Sequence, residues 1–154
     1  MGRGFIVFLF GVMGVLSLHA SECAKALGTC EYYQCLEKQE NCGKDGYYIK
    51  FGVHYCRKYQ AEQSEYTARG QEFLDNIRVC LQEELEREHQ RAGELPKCSK
   101  VKKFAVETHK HCYSENNFCS LPKTDQYHVK LAAKKEIFDF QMLRFAFWLE
   151  KSCF

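Results

Sequence analysis

Ten cysteines, at positions 23, 30, 35, 42, 56, 80, 98, 112, 119 and 153, are the densest set of reactive side chains in this sequence. Thiols in such number can ligate a metal, act as nucleophiles or pair as disulfides. A structural zinc site would show Cys-x-x-Cys pairs that bring two thiolates to one ion, and no such pair occurs. An even count in an exported chain predicts five disulfides instead, which leaves no thiol as a nucleophile. Histidine is the next candidate, with His54, His89, His109, His111 and His128 distributed along the chain. His109 and His111, two apart on a helix, point in different directions and cannot converge on one ion, so they are read as solvent-exposed groups with mild pH sensitivity at most. The sequence contains neither a Gly-x-Ser-x-Gly elbow nor a phosphate-cradling glycine loop, and its Asp and Glu residues form no pair assignable to acid and base roles. No catalytic residue, metal or cofactor is expected, and the chain is read as a non-enzyme.

Disulfides need an oxidising compartment, and the start of the chain supplies the route. Arg3 precedes an apolar run from Phe5 to Leu16, too short for the roughly 20 residues that span a bilayer, and the small residues Ala20 and Ser21 then offer a cleavage point. Residues 1–20 are expected to be a signal peptide and residues 21–154 a single secreted domain. Removing the leader takes one cation, Arg3, from a formal net charge of +2, so the mature chain is close to neutral. Nucleic acid is therefore not an expected partner, because phosphate neutralisation requires a strong basic excess. Beyond the leader no second long apolar run occurs, so no membrane span is expected.

The elements that would position these cysteines are helices. Pro96 and Pro122 are the only prolines, and between about Gly70 and His89 the residues Phe73, Leu74, Ile77, Leu81 and Leu85 recur at three- and four-residue steps, with Cys80 beside the stripe. Glu83, Glu84, Glu86, Arg87, Glu88 and Arg91 form the other face, read as solvated, with Glu83 and Arg87 paired four apart. The segment from Arg91 to Lys97 breaks the pattern, and Val101, Phe104, Ala105, Thr108 and Cys112 mark a second helix packed against the first. Cys30 to Glu40 and Tyr47 to Tyr59 each predict a shorter helix around the turn Gly43-Lys44-Asp45-Gly46, and Asp125 to Lys151 favours a helix as well. The expected fold is all-α, a disulfide-stapled helical bundle in a single domain.

The residues between the cysteines carry a family signature. Cys30-Glu31-Tyr32-Tyr33-Gln34-Cys35-Leu36-Glu37, then Cys42 with Asp45-Gly46 and Tyr48, resembles the opening of the stanniocalcin family. The likeness continues in register through Tyr66-x-x-x-Gly70-x-x-Phe73 leading to Cys80, then Cys98-Ser99, and through Cys112-Tyr113-Ser114 to Cys119-Ser120. The resemblance implies that Cys23 joins Cys35, Cys30 joins Cys56, Cys42 joins Cys98, Cys80 joins Cys112, and Cys119 joins Cys153. Two family features are missing: an eleventh, interchain cysteine and the Asn-x-Ser/Thr glycan acceptor. Covalent dimerisation is therefore not expected. A second likeness fails on its chemistry. Thr108 to Tyr113 distantly resembles the histidine helix of secreted phospholipases A2, but Lys110 stands where the calcium-binding carboxylate belongs and would repel the ion.

Aromatic density is what remains for function. From Ile137 to Leu149 only Asp139, Gln141 and Arg144 are polar. A helix so apolar is expected to be buried on more than one face, as a central core element pinned by Cys153. Alternatively, part of it, with Phe145 and Trp148 as anchors, meets a partner or a second copy in a non-covalent homodimer. The tyrosines Tyr32, Tyr33, Tyr47, Tyr48, Tyr55 and Tyr59 serve either packing around the first cysteines or a binding face. Resemblance to stanniocalcins implies a secreted hormone-like factor that binds an extracellular protein or receptor, with roles in calcium and phosphate balance or protease restraint. The alternative is a secreted venom or defence toxin engaging an ion channel or receptor.

Overall fold

A computed structural model describes residues 21–132, 134–136 and 139–153. The proposed leader, and Ile137 and Phe138 of the aromatic stretch, lie outside the described residues. Among those residues the regular structure is all helical: α1 (Glu31–Glu40), a π-helical segment Tyr48–Val53 that runs directly into α2 (His54–Ala61), α3 (Ala68–Ala92), α4 (Cys98–Glu115), α5 (Lys123–Ala132) and α6 (Phe140–Ser152). None of these helices is long and apolar enough to cross a membrane.

Local chemistry sets the helix ends. Thr67, in extended conformation, accepts the Gly70 N–H on its hydroxyl at 3.2 Å and starts α3 at Ala68, two residues before the Gly70 expected from the sequence. Gly93, at φ 77°, ends the helix in the left-handed region and donates its N–H to the His89 carbonyl at 2.8 Å. The block from Asp125 to Lys151 is not one helix, as its composition suggested, but two. Asp139 is the reason: extended at φ −84° and ψ 122°, its carboxylate accepts the N–H groups of Gln141 and Met142 at 3.1 and 3.2 Å, so a new helix starts there.

Two cores form along the α3–α4 hairpin. Near the start of α3, Phe73, Leu74 and Ile77 pack with Val106, Cys112 and Tyr113 of α4, Val129 of α5, and Phe145 and Leu149 of α6. Near its end, Leu85 meets Val101 and Ala105 of α4 with Tyr32, Tyr33 and Leu36 of α1 and Tyr47, Tyr48 and Val53. Opposite ends of the two helices share each core, so α3 and α4 run antiparallel. Asp125 of α5 locks the first core to the start of α3: buried to 1 % exposure, it accepts the Thr67 N–H at 3.0 Å and the Thr67 hydroxyl. Gly70 makes room for it, since a Cβ there would lie 2.6 Å from the Asp125 carboxyl carbon.

All ten cysteines are bridged. Cys23–Cys35, Cys30–Cys56 and Cys42–Cys98 staple the second core, Cys80–Cys112 ties α3 to α4, and Cys119–Cys153 holds the end of α6. This is the pairing that the family resemblance implies. Cys42–Cys98 spans 56 residues of sequence, the widest separation of the five, and in the chain-entropy model a loop of that size is worth about 4 kcal/mol.

The charged face of α3 departs from expectation. Arg87 pairs with Glu84 and Arg91 with Glu88, one turn back in each case, rather than Arg87 with Glu83. Glu86 is not solvated at all: it is 5 % exposed and accepts hydrogen bonds from Tyr32 and Ser21. Gln82, fully buried, likewise turns inward, accepting the Gly28 N–H at 2.6 Å and donating to the Thr29 carbonyl at 2.8 Å. A helix that carries a second core element on its flank cannot keep that flank polar unless partners satisfy it.

Candidate functional site

The helix α6 is two-faced, and the faces follow from its register. Phe145 and Leu149, four residues apart, point into the first core. The Phe145 ring lies 5.3 Å from Tyr113 and 5.6 Å from His109, and Trp148 stacks on it at 5.8 Å. On the other side Phe140, Leu143 and Phe147 are 70, 52 and 63 % exposed. Burial on more than one face is thus corrected: α6 lies on α4 at the rim of the bundle and covers one face only. Of the two anchors expected from sequence, Phe145 faces inward and Trp148 is half-buried, while the apolar residues presented to solvent are Phe140, Leu143 and Phe147. Their spacing of three and four residues places them together on one face of the helix.

Cations border the exposed face. The Arg144 guanidinium sits 5.8 Å from the Phe140 ring centroid, and the Lys151 ammonium 5.1 Å from that of Phe147. A groove between α4 and α6 is lined by Phe140 and Arg144 on one side and by Lys103, Glu107 and Lys110 on the other. Lys110 pairs with Glu107 at 2.7 Å, so positive charge is in excess along the groove. Lys102 bonds Asp139 at 2.6 Å and fixes the entry of α6 against α4; this contact is the main reason that the Asp139 carboxyl is held below its ordinary range.

Behind Phe145 lies an aromatic cavity of about 120 Å³, lined by Tyr47, Phe51, Tyr55, Tyr59, His109 and Tyr113 among others. His109 is therefore not the solvent-exposed group expected. Its Nδ1–H donates to the Ala105 carbonyl at 2.6 Å, and burial pushes the imidazole pKa down, with the Ala105 bond opposing. His111 is exposed and lies 3.5 Å from Glu84. Among the described residues no group of His, Cys, Asp and Glu could hold a metal ion. Tyr32, Tyr33, Tyr47 and Tyr48 are buried in the second core and serve packing, whereas Tyr55 and Tyr59 are half-buried at the cavity. What this arrangement offers is a surface: an apolar helix face with a basic border, held on a disulfide-stapled helical bundle.

A model of the stanniocalcin family matches residues 17–141. No curated protein and no solved structure matches the chain. The structure gives a physical reason for the motif Tyr66-x-x-x-Gly70-x-x-Phe73 inside the matched span. Tyr66 and Phe73 enter the first core, and Gly70 between them admits the Asp125 carboxylate. Nine of the bridged cysteines, from Cys23 to Cys119, fall within that span, together with the α3–α4 hairpin and the start of α6. Covering most of the chain and the helices that its disulfides join, this match shows that the protein belongs to the stanniocalcin family.

Proposed function

We propose that the protein is a secreted, non-enzymatic, hormone-like regulator, released by removal of residues 1–20, that acts by binding an extracellular protein or receptor through the outward face of α6. The observation that carries the reading is the exposure of Phe140, Leu143 and Phe147 on one helix face, bordered by Arg144 and Lys151. Large apolar side chains in a row are the residues that dominate interface energetics, and a monomer gains nothing by leaving them in water. The basic border selects a partner whose apolar patch is rimmed by carboxylates. Family membership supports the hormone-like class, and five disulfides fit an extracellular protein. Within that class, the roles the resemblance implies are calcium and phosphate balance or restraint of an extracellular protease.

The experiment is saturable binding of labelled, secreted protein to calcium-transporting epithelial cells. Phe140→Ser combined with Phe147→Ser, both at exposed positions, is expected to weaken binding at least tenfold while circular dichroism and Tm stay unchanged. Unaltered binding by that variant refutes the site. Sedimentation of the wild-type protein at micromolar concentration separates a heterologous partner from self-association: a dimer abolished by the same two substitutions assigns the face to a second copy.

A further inference from the structure

Glu86 is a buried carboxylate without a cation. Its Oε2 accepts the backbone N–H of Ser21 at 3.1 Å; its Oε1 accepts the Tyr32 hydroxyl at 3.0 Å and also the Ser21 hydroxyl. Ser21 is 7 % exposed, Glu86 5 % and Tyr32 fully buried. The ion pairs among the described residues all lie elsewhere, and none of them includes Glu86. Taking a carboxylate out of water costs several kcal/mol even after relaxation, and three neutral donors offset this only in part. Burial, followed by the charge of Glu86, raises the Tyr32 pKa, so the phenol stays protonated and remains a donor.

Ser21 is tethered from its C-terminal side. Two residues on, Cys23 is fully buried and bridged to Cys35, and its N–H donates back to Ser21 Oγ at 3.2 Å. The nitrogen that meets the unpaired carboxylate therefore belongs to a pinned residue, and that residue is the first one after the cleavage point read from Ala20 and Ser21. We infer that cleavage between Ala20 and Ser21 supplies the missing counter-ion, and that Glu86 with Tyr32 is a socket for the α-ammonium of the mature N terminus. Hydrolysis by a leader peptidase breaks the Ala20 C–Ser21 N bond. Water gives its hydroxyl to the Ala20 carbonyl carbon, and the Ser21 nitrogen takes up protons to become an ammonium at neutral pH, with no change of oxidation state. Because the nitrogen already stands 3.1 Å from Oε2, the hydrogen bond of a neutral amide to the carboxylate becomes a salt bridge without moving the chain. Processing thus completes the second core: the uncut chain buries a lone negative charge, and the cut chain buries an ion pair.

This inference rests on the leader reading of the proposed function, and the test separates the two. The full chain is expressed in secreting eukaryotic cells, and the exported protein is examined by intact mass and N-terminal sequencing. The expected product begins at Ser21 with a free α-amine whose reaction with an amine-selective acylating reagent at pH 7, read by peptide mapping, is at least tenfold slower than in the reduced, unfolded chain. Glu86→Gln restores reactivity, and Glu83→Gln on the exposed side of α3 does not. Should Glu86→Gln fail to fold, a refolded chain that retains Ala20 serves in its place, with a Tm expected to be lower by about 5 °C. An exported protein beginning elsewhere, an α-amine as reactive as in the unfolded chain, or an equal Tm for the extended chain overturns the socket and leaves secretion standing. An unprocessed chain kept inside the cell overturns the leader reading, and the socket with it.

Discussion

Replacing Gly70 by alanine tests the contact that joins the start of α3 to α5. In an unconstrained helix the change would stabilise by about 1 kcal/mol, because glycine loses more backbone entropy on folding than alanine does. Here the new Cβ would stand 2.6 Å from both Cγ and Oδ2 of Asp125, whereas ordinary contact begins at 3.4 Å. The carboxyl must retreat by about 0.8 Å, which breaks its bonds to the Thr67 N–H and hydroxyl. Hydrogen bonds to a charged group are worth about 1.5–3 kcal/mol each, so against the propensity gain the net loss of both should be about 2–5 kcal/mol. Urea unfolding of the oxidised protein, monitored by circular dichroism, measures it. The decisive comparison is the same substitution in an Asp125→Ala background, where the obstacle is gone and Gly70→Ala should be neutral or stabilising by up to about 1 kcal/mol. A loss of equal size in both backgrounds would show that the two sites act independently and would refute the reasoning.

Two further outcomes follow from α6 and its seat. Asp139→Ala removes both the N-cap of α6 and the Lys102 contact and should cost about 1–2 kcal/mol in urea unfolding, whereas Asp139→Asn keeps a capping oxygen and should cost less. The Asp139 contribution is held at neutral pH and lost as pH falls below the ordinary carboxyl value of 3.8, since its folded pKa is lowered. His109 has the opposite chemistry but the same direction. Its folded pKa lies below the ordinary 6.5, so the unfolded chain takes up the proton first. Stability should therefore fall as pH drops below 6.5, by at most about 1.4 kcal/mol per pH unit. Urea midpoints between pH 5 and 7.5 for wild type and His109→Gln check this, and parallel profiles would refute it.

How far each feature was legible depends on the range over which it is decided. The α3 and α4 helices could be read from apolar residues at three- and four-residue steps, because that periodicity is local and the breaker at Gly93 to Pro96 stands in the sequence itself. Asp139 is also a local signal, yet its cap was obscured by the apolar residues on both sides, which read as one helix through the break. By contrast, Glu86 looks like its neighbours Glu83, Glu84 and Glu88 in any sequence window. What separates it is Ser21, 65 residues away, and Tyr32, 54 residues away. His109 is misplaced for the same reason: Tyr113 is on its own helix, but Phe145, which covers it, is not.

Residue type and spacing alone set the class of this molecule: cysteine number and order and helical periodicity survive any choice of packing. Which side of α6 looks outward was settled by packing. A helix apolar on every side contains no information about its orientation until a second surface claims one face. Tyr113 and His109 of α4 claim Phe145, and the opposite row is left to water.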